Sequence, residues 1–234
     1  IGRFRVKEPE AIAALLDALE DENDLAPDGG FPLRRNAARA LGKVGDESVV
    51  PALLSCLDCS DYYVREAAAQ ALELLNAKNS VESLVTLLAG GAEAAVEVPG
   101  KPHLVQPYNA ILEALGSLGD RTIVGVIEPF LKHDVPQVKN AAARAMYQLT
   151  GEGRYADILL DTLRCDDLQL RRSALLDLGE VGYLPAADAI SETLAENSIK
   201  LISLKGLLEK EIQRSGELVS AETRKVMALM DGLL

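Results

Sequence analysis

The sequence predicts an all-α protein, an α-solenoid of about six short helix pairs in a right-handed superhelix, with an extra C-terminal helix. One pattern recurs along the chain: it opens on an apolar residue, followed in most copies by a cation, and it closes on leucine or methionine. The closing residues lie at positions 41, 72, 115, 146, 178 and 207, so the period is about thirty residues. Such a period is typical of a solenoid, in which each helix pair stacks on the next.

The composition favours one elongated domain over two globular ones. Of the 234 residues, 48% are hydrophobic but only 4% are aromatic. A seam of alanine and leucine between helices can therefore supply the core without a large aromatic cluster. The pattern predicts units at about 8–46, 47–79, 80–120, 121–153, 154–183 and 184–216, and a C-terminal helix at 219–234.

The segment from Ser60 to Leu72, one helix with its start signal attached, shows how each element is predicted. Ser60 or Asp61 can cap its first amides, and small or apolar residues follow at helical spacing. Other starts are equally clear, as in Asp134-Val135-Pro136. The last helix carries one apolar stripe, which either caps the end of the solenoid or meets a partner: Val226, Leu229, Met230 and Leu233.

Two units carry extra residues between their first and second helices. The inserted loops, 21–32 and 89–106, are too acidic or too rich in proline and glycine for regular helix. All first-to-second turns of a solenoid lie along one edge, which we call the rim. The two loops and the short turn 60–63 are therefore expected to be neighbours. A long loop in a compact repeat is more often functional than idle, so the rim is the predicted site.

Charge and hydropathy exclude several classes of partner. The formal net charge of −12 argues against nucleic acid. No stretch approaches the ~20 apolar residues of a membrane span, and no charged-then-apolar leader opens the chain. We therefore expect no membrane partner and a cytoplasmic location. The chain opens at Ile1 without methionine, which predicts that its natural start lies upstream.

The cysteines predict neither a disulfide framework nor a metal site. Their number is three, which is odd, in a chain built from ordinary helices. The stretch Cys56-Leu57-Asp58-Cys59 has the spacing of a redox or zinc motif, but no second pair lies near it. We expect these thiols to be reduced and no metal to bind.

The repeats resemble short HEAT repeats, since the tetratricopeptide and ankyrin signatures are absent. Two stretches narrow the resemblance: DCSDYYVREAAAQAL at 58–72 and VPGKPHLVQPY at 98–108. Both are similar to the E subunits of the heterodimeric E/F-type phycobilin lyases. The similarity covers essentially the whole chain, including the inserted loops.

The resemblance implies an enzyme subunit that is active only as a heterodimer with an F-type HEAT-repeat subunit. It implies that phycocyanobilin is a substrate, with no cofactor required, and that it becomes attached by a thioether bond to a cysteine of the apo-phycocyanin α subunit. Two alternatives stay open. One is the E subunit of a related lyase-isomerase, and the other is a non-catalytic HEAT adaptor or chaperone that binds a protein through its helix faces.

The chemistry of a bilin predicts which rim side chains bind it. Its propionates would pair with Arg34, Arg35 or Lys101, because cations bind carboxylates. Its pyrrole rings would stack on Tyr62 and Tyr63. Further substrate-binding candidates lie beside these stretches: Arg65, Gln106 and Tyr108.

Two residues are the candidates for catalysis. Asp61 would pair with protonated ring nitrogens and keep the bilin cationic, which makes its vinylic carbon more electrophilic. His103 would donate to a bilin carbonyl or assist proton transfer. Structural interpretations stand beside these: Asp61 as a helix cap, the cations as bridges between repeats, His103 as an exposed loop residue and His133 as structural.

Overall fold

The computed structural model describes residues 7–21, 23, 25–26, 30–216 and 220–234. They fall into two compact units, Ile1–His133 and Asp134–Leu234. Throughout these residues the secondary structure is helical apart from one isolated bridge between Glu97 and Leu104. The prediction of an all-α repeat fold is therefore confirmed. The division into six repeat units stays a prediction.

The described residues of the first unit form seven α-helices: α1 (Pro9–Glu20), α2 (Pro32–Val44), α3 (Val50–Ser55), α4 (Tyr62–Leu74), α5 (Val81–Thr86), α6 (Tyr108–Leu118) and α7 (Val124–Ile127). Short 3-10 turns extend α3, α5 and α7, as at Glu47–Val49 and Cys56–Asp58. The helix α2 packs on α4, and α4 packs on α6. The second helices thus form one continuous layer within this unit.

Small residues bring α2 and α4 close together. A Cβ atom on Gly42 would lie 2.7 Å from the Cα of Ala71, closer than real Cβ atoms approach backbone. Ala38, Ala67 and Ala68 are fully buried in the same layer. The alanine-rich pattern of the second helices is therefore a packing requirement of neighbouring backbones.

In the second unit, the part of the chain that the structure describes forms six α-helices: α8 (Pro136–Thr150), α9 (Gly153–Thr162), α10 (Leu168–Val181), α11 (Ala187–Glu192), α12 (Asn197–Ser215) and α13 (Ala221–Asp231). The last helix, α13, packs on α11 and α12 and buries Val226. Ser220 and Thr223 form a capping box at its start. The predicted C-terminal helix therefore covers the end of this unit, although position 219 lies outside the described residues.

One buried ion pair joins two helices of the second unit. Arg144 on α8 donates to Asp177 on α10 at 3.2 Å and to Glu180 at 2.8 Å. Arg144 and Asp177 are 5% and 6% exposed. Burial raises the pKa of Asp177 to about 6, although Arg144 opposes the shift.

Candidate functional site

The second inserted loop folds into a short hairpin between positions 96 and 105. Val98 N donates to His103 O at 3.1 Å, and Val105 N donates to Val96 O at 3.0 Å. At its tip, Lys101 N donates to Val98 O, while Gly100 has a φ of 74°. Pro99 before such a glycine is the sequence of a type II turn. The prediction that this loop forms no regular helix is confirmed, although a short 3-10 turn at Ala92–Ala94 precedes the hairpin. The hairpin itself was not foreseen.

Both ends of the hairpin are fastened to the same unit, one to His133 directly after the 3-10 turn Glu128–Lys132 and the other to Arg65 on α4. At one end, the His133 Nε2 atom lies 2.9 Å from Ala95 O, so this ring nitrogen must donate because a carbonyl only accepts. At the other end, Arg65 donates to Val105 O at 2.8 Å and to Gln106 Oε1 at 2.9 Å. The structural interpretation of His133 is therefore supported.

The first inserted loop is fastened to the same turn as the hairpin. Asp61 caps α4 by accepting a hydrogen bond from Tyr63 N at 2.7 Å. Its other oxygen accepts from Phe31 N, directly before α2, at 2.6 Å. Positions 22, 24 and 27–29 of this loop lie outside the described residues. The carboxylate of Asp61 thus joins the end of the first loop to the start of α4.

The turn, the hairpin and the end of the first loop line one half-open cavity of about 730 Å³. A volume of several hundred Å³ is usual for small-molecule sites. The lining combines apolar and polar groups: Gly30, Ser60, Asp61, Tyr62, Tyr63, Arg65, Val98, Gly100, Lys101, Pro102, His103 and Val105. The expected proximity of the two loops and the turn is therefore confirmed.

Three rings form a cluster in the lining. Tyr62 and His103 stack with centroids 4.2 Å apart and planes 14° apart. Tyr63 meets both rings edge-on, at 5.2 Å from Tyr62 and 5.7 Å from His103. Burial raises the pKa of Tyr62 to about 12, and the nearby Glu66 carboxylate adds to the effect. Tyr62 is therefore a neutral phenol at neutral pH.

The hydrogen bond of His103 defines its tautomer. Its Nδ1 atom lies 2.9 Å from the carbonyl oxygen of Leu104. A carbonyl only accepts, so Nδ1 carries the proton. In the neutral ring, Nε2 therefore bears a lone pair and can accept a proton.

Charges of both signs line the cavity. Arg65 and Lys101 supply cations, and Asp61 supplies a carboxylate. Burial lowers the pKa of the half-buried Arg65 guanidinium from its usual value, and nearby groups including Asp61 oppose this shift. The combination suits a ligand with an anionic group, a flat conjugated body and a basic nitrogen.

Six predicted site residues come together in this lining: Asp61, Tyr62, Tyr63, Arg65, Lys101 and His103. Four others lie outside it. Arg34 lies over the ring of Phe31 at 5.2 Å, and Arg35 lies over the ring of Tyr63 at 5.6 Å. The predicted roles of these two cations as propionate clamps stay predictions.

The other two residues outside the lining, Tyr108 and Gln106, contact other side chains of the repeats. Tyr108 is 2% exposed and its ring packs against Phe130 at 5.7 Å, because the first turn of α6 is buried in the repeat core. Gln106 accepts the hydrogen bond from Arg65. Their predicted role in substrate binding gains no support from this placement.

Glu66 is a polar neighbour of the site that sequence reasoning missed. It lies 3.5 Å from Arg39, and burial raises its pKa while Arg39 and Arg35 hold it down. Its position one turn after Tyr62 on α4 is the signal that could have identified it.

None of the three cysteine side chains lines the cavity, although the backbone carbonyl of Cys59 accepts a hydrogen bond from Arg65. Cys56 is buried, and burial raises the pKa of its thiol to about 11, although Arg34 opposes the shift. No disulfide involves Cys56, Cys59 or Cys165. Across the part of the chain that the structure describes, no three histidine, cysteine or acidic side chains form a metal-binding group. In the same residues, no helix has the length and apolar character to cross a membrane.

Comparisons with known proteins define the chain first as a HEAT-repeat protein. The HEAT repeat family matches residues 1–73 and 26–97. The phycocyanobilin lyase subunit alpha of Picosynechococcus sp. is 54% identical over 233 residues, covering 100% of this chain and 87% of that protein. Its counterpart in Synechocystis sp. is 57% identical over 238 residues, covering 100% and 88%. The chain therefore belongs to the family of phycocyanobilin lyase alpha subunits.

Two further comparisons are with a bilin biosynthesis protein and with a solved structure. The bilin biosynthesis protein PecE of Mastigocladus laminosus is 41% identical over 210 residues, covering 89% of this chain and 73% of that protein. The solved complex of CpcE and CpcF of phycocyanin lyase from Nostoc sp. contains a chain with 56% identity and a TM-score of 0.92, covering 100% of this chain and 86% of that one. The identities are thus higher with the phycocyanobilin lyase subunits than with PecE.

Proposed function

We propose that this chain is one subunit of a heterodimeric bilin lyase and acts with an F-type HEAT-repeat subunit. The enzyme attaches phycocyanobilin, its substrate, by a thioether bond to a cysteine of the apo-phycocyanin α subunit. The relatives named phycocyanobilin lyase and the complex of CpcE with CpcF support this assignment. We further propose that the reaction takes place in the cytoplasm.

One observation carries the assignment of the site. The Tyr62 and His103 stack lies in the lining of the same cavity as Asp61 and Lys101. The stacked rings offer a flat surface for a pyrrole ring, Lys101 offers a cation to a propionate, and Asp61 offers a carboxylate to a protonated ring nitrogen. The two hydrogen bonds that Asp61 accepts leave further lone pairs on its oxygens.

The chemistry is the addition of a thiol to a carbon-carbon double bond. The acceptor sulfur forms a bond to the vinylic carbon, the double bond opens, and the thiol proton ends on the neighbouring carbon. No oxidant or reductant is needed. The lone pair on His103 Nε2 can accept the thiol proton and return it, while the cavity holds the bilin in one orientation.

Covalent attachment tests the proposal. Phycocyanobilin and the apo-phycocyanin α subunit are mixed with this chain, with the F-type subunit, and with both, and the adduct is detected by zinc-induced fluorescence on a denaturing gel. The expected result is correct adduct only with both proteins. Attachment no greater than spontaneous addition would favour a non-catalytic adaptor.

Single variants test the site within the same assay. His103→Ala and Tyr62→Leu are expected to lower the rate of transfer about 10- to 100-fold, as is usual when a proton-transfer or positioning group is lost. Tyr147→Leu is the matched control, since Tyr147 meets Tyr183 edge-on in the second unit at 5.4 Å, as Tyr62 meets Tyr63 in the site. Normal transfer by both site variants would remove these residues from the site.

A further inference from the structure

We propose that Arg65 is a positioning residue for bilin transfer, which holds the hairpin at 96–105 so that His103 lies on Tyr62. In this role Arg65 does not bind the bilin itself. The proposal rests on the function proposed above, because His103 is the group that Arg65 positions.

The hydrogen bonds of Arg65 leave it little capacity for a substrate. Its Nη1 atom donates to Cys59 O at 2.6 Å and to Ser60 O at 3.0 Å, in the turn before α4. Its Nε and Nη2 atoms donate to Gln106 Oε1 and Val105 O at the end of the hairpin. A guanidinium has five N–H groups, and four of them have protein acceptors here. A two-point grip on a propionate is therefore not available.

The same contact occurs in a repeat that has no insertion. Arg171 follows Cys165 as Arg65 follows Cys59, and its Nη1 atom donates to Cys165 O at 2.6 Å. Its Nε atom donates to Leu194 O, in the next first-to-second turn, at 3.1 Å. The bridge therefore belongs to the repeat scaffold. Arg65 differs in its contacts toward the next repeat, because its Nε and Nη2 atoms donate to the end of the inserted hairpin and not to a short turn.

The hairpin transmits this contact to the ring cluster. Val105, whose carbonyl Arg65 binds, also donates to Val96 O across the hairpin, and Leu104 forms the bridge with Glu97. His103 precedes Leu104 on the same side of the hairpin. A shift of this side would displace His103 from its position 4.2 Å from Tyr62, and misplacement of a catalytic group by about 1 Å can cost about 100-fold in rate.

Histidine NMR in the heterodimer reports the position of His103 directly. The chain contains two histidines, so labelling only this subunit with histidine that carries ¹³C at Cε1 gives two ring signals, which a His133→Gln variant assigns. The stacked Tyr62 ring should shift the His103 signal upfield. In Arg65→Gln this upfield shift is expected to fall by at least half, whereas in the matched control Arg171→Gln it should stay unchanged.

Transfer kinetics test whether the position matters for the reaction. Arg65→Gln should lower the rate at saturating bilin about tenfold or more, with little change in KM. Arg171→Gln should keep the normal rate. In a His103→Ala background, Arg65→Gln should add no further loss, because the residue that Arg65 positions is then absent.

Three outcomes would overturn the proposal: an unchanged His103 signal in Arg65→Gln, a normal rate despite a lost ring shift, or a further loss in the His103→Ala background. The last would show that Arg65 binds the bilin itself. If Arg65→Gln does not fold, Gln106→Leu, which removes one acceptor on the hairpin side, carries the same test with a smaller expected loss. A normal rate for His103→Ala alone would instead refute the proposed role of His103.

Discussion

Replacement of Asp61 separates the two contacts that its carboxylate makes. One oxygen caps α4 through Tyr63 N at 2.7 Å, and the other holds Phe31 N at 2.6 Å. Asp61→Ala removes both contacts. Asp61→Asn can keep the cap through its amide oxygen, but it then presents an N–H group to the N–H of Phe31, where no hydrogen bond can form.

The structure allows the loss of stability to be estimated contact by contact. An N-cap contributes about 1 kcal/mol, and a hydrogen bond to a charged acceptor contributes about 1.5 to 3 kcal/mol. Asp61→Ala should therefore lower the free energy of unfolding by about 2.5 to 4 kcal/mol. Asp167 is the matched control, because it caps α10 through Gln169 N at 2.7 Å and Leu170 N at 3.2 Å and holds no loop. Asp167→Ala should cost only about 1 kcal/mol.

Urea unfolding of the full chain, followed by circular dichroism, measures these differences. Equal losses in Asp61→Ala and Asp167→Ala would refute the reasoning, because the bond to Phe31 would then contribute nothing. The transfer assay adds a second measurement on Asp61→Asn. If the carboxylate charge pairs with the bilin, this variant should transfer about tenfold more slowly, and normal transfer would leave Asp61 as a cap and loop anchor alone.

Three other predictions follow from the packing and burial. Arg144→Met should lower the free energy of unfolding by about 3 kcal/mol in urea, because it leaves buried Asp177 without its cation; the added change Asp177→Asn should recover part of this loss. Gly42→Ala should cost about 1 to 3 kcal/mol by the same measurement, because its Cβ would overlap Ala71, and no loss would mean that α2 and α4 can separate freely. Cys56 should be alkylated at pH 8.5 about 100-fold more slowly in the folded chain than in urea. The reason is that the raised pKa of its thiol keeps the thiol protonated until the pH approaches 11. Similar rates in the two conditions would contradict the burial of Cys56.

The repeat explains why so much of the fold could be predicted from the sequence. Helix periodicity, caps such as Asp61 and starts such as Pro136 are local signals, and the structure places helices where they predict them. The proximity of the inserted loops followed from repeat geometry. The site could be predicted only to the level of neighbouring segments.

The orientation of individual side chains depends on contacts that no local signal encodes. Tyr108 lies beside the hairpin in sequence, yet its ring turns into the core against Phe130. The two hydrogen bonds from Arg65 to the end of the hairpin span 40 and 41 positions of sequence. The stack of His103 on Tyr62 depends on the hairpin. The hairpin could not be predicted, because a stretch rich in proline and glycine indicates only that no regular helix forms there.

The hairpin at 96–105 is held at its two ends by groups that belong to the helical repeats. His133 binds one end and Arg65 the other, and the tip at 98–103 lies between these attachment points. The tip can therefore change in length or sequence while the helices keep their packing. Grafting the tip between related lyases would therefore exchange the part of the cavity wall that the tip supplies, and the helical repeats would need no redesign.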